Sequence, residues 1–141
     1  MPIAKNLLEV IQYTGEGYMP LVDFNTWRVA MLNYIDELLP ECLDSMQRHD
    51  ETDEVFVLLQ GHCILFLACG DEMLDEVYAE DLQPLKFYNV KKGCWHTHTL
   101  SKDAAVLIVE NRNTSDENSP KVNLSPAQMR QLVSLAHQLW S

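Results

Sequence analysis

From Thr26 to Asn111 the chain is cut into short segments rich in β-branched, aromatic and leucine residues, separated by turns that contain glycine, proline or aspartate. The segments are Thr26–Ile35, Ser45–Arg48, Glu54–Gln60, His62–Cys69, Met73–Ala79, Leu85–Val90, Cys94–Leu100 and Ala104–Asn111. Punctuation of this kind predicts an antiparallel all-β sandwich or barrel. Gln60-Gly61 and Gly70-Asp71 read as tight turns between paired strands, and Lys92-Gly93 as another turn. Helical periodicity is confined to the ends. Ala4–Tyr13 places Leu7, Leu8 and Ile11 on one side and predicts a short helix, followed by a loop through Pro20. Pro126–Trp140 predicts a longer one: Ser125 is the N-cap, Pro126 sits at the first helical position and Gln128 closes a capping box. Leu132, Ala136 and Leu139 form its apolar stripe. Asn111–Pro120 reads as an exposed polar loop.

At 141 residues with 47% apolar content, the chain predicts one domain, 1–141, with a core region of about residues 26–111. Its net charge is −11, and fourteen acids lie between Asp36 and Asp81 against a single base, Arg48. Such a surface repels phosphate backbones and anionic bilayers, which argues against nucleic-acid and membrane partners. Cys42, Cys63, Cys69 and Cys94 form no CxxC pair. The last three fall in strand-like runs, where cysteine serves as a small buried hydrophobe. There is no apolar stretch of the ~20 residues that span a bilayer and no basic-then-apolar leader, so the expected setting is cytoplasmic, with reduced thiols.

Two charged or glycine-led turns carry the residues that could do chemistry. RHDETDEVFVLLQG (Arg48–Gly61) holds His49 and Glu54, and KKGCWHTHTL (Lys91–Leu100) holds His96 and His98. Side chains two apart on a strand share a face at ~6–7 Å. Gln47 and His49 therefore point together, as do His96 and His98, and an inward Glu54 brings Phe56 and Leu58 with it. Two imidazoles and a carboxylate from separate strands are a fitting donor set for a metal with open positions. The opposite parity turns Trp95 away from such a pocket and leaves Arg48 as a surface ion-pair residue. Tyr34, Phe56, Tyr88 and Trp95 read as core aromatics, and Asp71–Asp81 as a solvated hairpin without calcium-loop spacing. A buried, hydrogen-bonded His98 is the alternative to a functional one. No nucleophile elbow or phosphate-binding glycine loop occurs.

These stretches resemble the cupin superfamily. His49, Glu54 and Gly61 have the spacing of the latter part of its first motif, and Gly93 and His96 that of the core of its second, with a variable insert between. The resemblance spans roughly Thr26–Asn111. It implies a jelly-roll barrel and a divalent transition metal (Fe, Mn, Ni or Zn) held at His49, Glu54 and His96. The chain departs from the pattern at Gln47, where a histidine is usual, at Lys91 in place of proline and at Leu100 in place of asparagine. Gln47 is then a substitute ligand or the mark of a weakened or vanished site, and His98 an additional ligand or an acid–base group. The resemblance implies a metal-dependent enzyme on a small polar substrate, sugar-derived or a keto acid. The alternatives are a non-catalytic ligand- or metal-binding barrel and one that has lost its metal. Apolar terminal segments predict a homodimer.

Overall fold

Burial alternates without a break along Ala105–Asn111, where Val106, Ile108 and Glu110 are buried and the residues between them half-buried. That period of two is what a strand with one face on a core requires. A computed structural model describes all residues, 1–141. Ten strands follow in order: β1 (Gly17–Phe24), β2 (Trp27–Asn33), β3 (Ser45–Gln47), β4 (Glu54–Gln60), β5 (Cys63–Ala68), β6 (Val77–Asp81), β7 (Phe87–Val90), β8 (Trp95–Leu100), β9 (Ala105–Asn111) and β10 (Lys121–Asn123). One helix, α1 (Pro126–Leu139), ends the chain, and short 3-10 turns lie at Asp36–Leu38, Pro40–Cys42 and Asp116–Asn118.

The strands form two antiparallel five-stranded sheets, ordered β1-β2-β9-β4-β7 and β10-β3-β8-β5-β6. This is a jelly roll of two facing sheets, not a barrel closed all round by hydrogen bonds. Between the sheets lies a cluster that includes Leu32, Phe56, Leu58, Leu65, Leu100, Val106 and Ile108. A second cluster lies on the outer side of β5 and β8, where Ile64, Phe66 and Trp95 meet Leu132 and Ala136 of α1. β5 is consequently apolar on both faces, because it has a sheet on one side and a helix on the other. The expected Ser125 cap and capping box of α1 are both present. Leu139, expected on the buried stripe, is 41% exposed, and Met129 and Leu135 pack in its stead.

Several expectations are corrected. Ala4–Tyr13 has only a turn at 5–7 and no helix; Ile3, Leu7, Leu8, Val10 and Ile11 are all exposed, so no packing surface repays the cost of helix nucleation. The predicted loop through Pro20 is strand β1. Proline is tolerated there because β1 is an edge strand and its register shifts between Pro20 and Val22. Gln60-Gly61 does not join a hairpin: β4 pairs with β7 and β9, and β5 with β6 and β8. Gly61 carries the chain from one sheet to the other at φ +73°, and a Cβ there would lie 2.7 Å from the Ala104 Cα. Finally, the strand expected at Met73–Ala79 begins only at Val77, and β10, beyond the polar 111–120 loop, was not foreseen. Cys63 is buried as expected, whereas Cys69 is exposed and Cys94 half-buried, each lying one residue outside its strand.

Candidate metal centre

The site forms where the two sheets face each other. His49 lies two residues beyond β3, in a loop pinned by backbone bonds on both sides: Arg48 N donates to Pro120 O (3.1 Å), Asp50 N to Asn118 O (3.0 Å) and Gly93 N to His49 O (2.8 Å). Glu54 opens β4 in the first sheet, paired with Val90 of β7. His96 stands on β8 in the second sheet, opposite Gln47 of β3 and Leu67 of β5. All three side chains are buried, and their nitrogen and oxygen donor atoms lie within 4.8 Å of one another. His49 Nε2 is 3.2 Å and His96 Nε2 2.9 Å from the same oxygen, Glu54 Oε1. The two imidazoles meet edge to face at 5.0 Å between centroids.

The outer nitrogens decide what this arrangement can hold. His96 Nδ1 donates to the Cys94 carbonyl at 3.1 Å, since a carbonyl can only accept. A neutral His96 therefore turns the bare lone pair of Nε2 toward a carboxylate oxygen. Two lone pairs at 2.9 Å need a cation between them, a proton or a metal ion. His49 Nδ1 meets Ser119 Oγ at 2.7 Å, and that hydroxyl in turn donates to Asn118 Oδ1. Both rings thus have a second partner that fixes their orientation, as metal-binding histidines do. Donors at ~2.1 Å from one ion would be about 3 Å apart, close to the observed spacing, and a set of two imidazoles and a carboxylate suits a first-row transition metal. The residues fit the group.

Electrostatics agree with a cation-seeking site. Burial opposes the charge on Glu54, but hydrogen bonds from His49 and His96 outweigh it and hold the carboxyl well below its ordinary range. Burial likewise opposes a charge on His49, yet the Glu54 carboxylate moves its pKa upward overall. His98 is different: burial and the neighbouring His96 push it down to about 4. Its Nδ1 is shielded and has no hydrogen-bond partner, so the alternative of a satisfied core histidine does not describe it.

A cavity of about 320 Å³ opens over these residues, lined also by Leu32, Ile108 and Gln47. Gln47 faces the site but is engaged elsewhere: its amide donates to the Ser119 carbonyl at 3.1 Å and, more weakly, to Asp116 Oδ1 at 3.4 Å. Phe56 packs beside both His96 and His98. Trp95 points the other way, as parity requires, and donates to the Gly70 carbonyl at 2.7 Å under the Arg48 guanidinium. Arg48 also pairs with Asp50, as expected.

The cavity also holds an acid from outside the two histidine-bearing stretches. Glu110, next to last in β9, stands opposite Arg28 of β2 and lies beside Glu54, one step beyond the Val55–Val109 pair. Its Oε1 accepts from Arg28 Nη2 (2.5 Å) and from the Tyr18 hydroxyl (2.6 Å), while Oε2 is shielded and unbonded. Burial, followed by the nearby Glu54 carboxyl, raises its pKa. The available signal was parity: Glu110 shares a face with Val106 and Ile108 and is an acid on a core-facing position.

No protein-family model and no curated protein sequence matches the chain. Solved structures do. A cupin-2 domain protein from Shewanella frigidimarina is 20% identical and aligns over 70% of this chain and 85% of its own, with a TM-score of 0.49. Streptomyces Pac13, a nucleoside dehydratase solved with uridine, is 8% identical over 83% of this chain and 93% of its own, with a TM-score of 0.54. The TDP-fucose-3,4-ketoisomerase WlaRA from Campylobacter jejuni is 18% identical over 69% and 68%, with a TM-score of 0.52. At these identities the likeness is one of fold alone, a cupin-like jelly roll of two facing sheets.

Proposed function

We propose that this protein is a metal-dependent enzyme acting on a small polar molecule, with His49, Glu54 and His96 as ligands of a divalent transition metal, Fe, Mn, Ni or Zn. One observation carries the reading. His96 Nε2, the ring nitrogen that the Cys94 carbonyl leaves free, faces Glu54 Oε1 at 2.9 Å inside a buried cluster, a spacing that needs a cation between them. A bound ion would supply Lewis acidity toward a carbonyl, hydroxyl or carboxylate oxygen.

The chain's own residues do the rest. His98, neutral at ordinary pH, is placed to accept a proton or a hydrogen bond from a ligand. Leu32 and Ile108 form an apolar wall that limits water, and Phe56 packs against the His96 and His98 rings. Gln47 supports the Ser119 end of the His49 loop through its amide nitrogen. No helix is long and apolar enough to cross a membrane. The acidic surface leaves nucleic acid an unfavourable partner. The exposed apolar residues of the N-terminal arm favour a homodimer, testable by light scattering before and after removal of residues 1–12.

Metal analysis of protein equilibrated with each candidate ion tests the assignment. Stoichiometric binding abolished by His96→Ala is the expected result. Protein that stays metal-free, with a melting temperature indifferent to chelator, would mean that a proton bridges the cluster and the metal reading fails.

A further inference from the structure

We infer that the ligand of this cavity is a neutral, hydroxyl-rich molecule of the sugar or nucleoside kind, not a carboxylate or phosphate ester, and that Glu110 imposes the choice. This deepens the enzyme reading, on which it rests for the identity of the cavity.

The charges around the cavity carry the argument. Three carboxyl groups line it, on Glu54, Glu110 and Asp116, against one cationic side chain, Arg28. The two terminal nitrogens of that guanidinium are already committed, and only Nε is left shielded and without a partner. Nη2 donates to Glu110 Oε1 and to the Thr114 carbonyl, and Nη1 donates to the Arg112 carbonyl. No lysine lines the cavity. Sites built for carboxylates or phosphates offer a free arginine fork or a lysine, and this one offers neither. A divalent ion at His49, Glu54 and His96 would offset charge at one end only, leaving Glu110 and Asp116 facing the rest of an anionic ligand.

The unbonded atoms point the same way. Glu110 is 6% exposed, and Tyr18 and Arg28 both clamp Oε1, which leaves Oε2, beside the Glu54 carboxyl, without a donor. A buried acceptor without a donor is costly, and the natural complement is a hydroxyl. His98 Nδ1 in the same cavity is also unpartnered. A hydroxyl-rich ligand can donate to Glu110 and either donate to or accept from His98. A carboxylate or phosphate presents acceptors alone and would oppose Oε2 with like charge.

The test is calorimetric titration of the full chain, both manganese-loaded and chelator-treated, with shape-matched pairs. These are glucose and glucuronate, ribose and ribose 5-phosphate, and uridine and uridine 5′-monophosphate. The neutral member of at least one pair should bind, and should bind about tenfold or more tighter than its anionic counterpart. Removing the metal makes the cavity more acidic, so the preference should survive chelation. Glu110→Gln should weaken the neutral ligand about tenfold and, by releasing Arg28, erase or invert the preference, with bound manganese unchanged. Tighter binding of the anionic members, no binding of any neutral member, or unaltered neutral binding in a folded Glu110→Gln protein would each overturn the inference. The wild-type comparison decides alone if that variant does not fold. Manganese lost with neutral preference kept sinks only the metal assignment; manganese kept with anionic preference sinks only this inference.

Discussion

β5 and β8 have two faces with opposite characters. Toward α1, Ile64, Phe66 and Trp95 belong to a cluster whose one polar side-chain atom, the Trp95 indole N–H, has its carbonyl partner. Toward the other sheet, His96 and His98 join Glu54 and Glu110 in a cavity where three buried polar atoms, Arg28 Nε, His98 Nδ1 and Glu110 Oε2, have no partner at all. Adjacent residues of a single strand therefore serve stability and chemistry separately, because the pleat sends them to opposite sides. A satisfied, close-packed face holds the backbone still; the unsatisfied face is where a ligand is wanted.

The division is broken most severely by emptying the structural face. Phe66 is fully buried under α1, and Phe66→Ala should cost about 3–5 kcal/mol in chemical denaturation. The molecules that remain folded should keep their metal, as read by metal analysis after gel filtration. Metal lost in proportion to stability would show that the two faces are not independent.

On the chemical face the largest effect belongs to His96. His96→Ala should weaken metal binding by about a hundredfold or more, measured against a chromogenic chelator, and should abolish any stabilisation by added metal. It leaves Phe66, Trp95 and the helix untouched, so the loss of metal should far exceed the loss of stability in the metal-free protein.

Much of this geometry is written in the sequence, and the reason is local. Strand parity needs only neighbours, so the common direction of His96 and His98, the outward turn of Trp95 and the shared face of Glu54 and Phe56 were all legible. The Ser125 capping box is equally local. Pairing is not. Nothing near Gly61 says that the chain leaves one sheet for the other, because that depends on β9 and β8 offering better partners than β5 offers β4. Glu110 needed the same long-range knowledge: its parity was readable, but its place between Arg28 and Glu54 follows from the β2-β9-β4 order. The N-terminal arm failed for the converse reason. Its apolar spacing imitates an amphipathic helix, yet the fold gives that face nothing to pack against.

Cysteine chemistry provides a smaller contrast. Burial pushes the Cys63 thiol up to about 12, whereas Cys42 and Cys69 are exposed. A thiol reagent at neutral pH should label Cys42 and Cys69 within minutes and Cys63 only on unfolding, with peptide mass mapping as the readout. Rapid labelling of Cys63 in folded protein would mean that the inter-sheet core opens locally.

The smallest expected effect is the sharpest, because it concerns the residue next to His96. Trp95→Phe removes the N–H that meets the Gly70 carbonyl at 2.7 Å and keeps most of the apolar ring. The cost should be about 1–2 kcal/mol, from one buried carbonyl left without its donor and a slightly underfilled site. Metal affinity should stay within about twofold of the wild type, since the change lies on the far side of the strand and coupling across a rigid, well-packed sheet is weak. A Trp95→Phe protein that lost metal as readily as the His96→Ala protein would show that the outer face positions the imidazole, and that the two sides of β8 act as one.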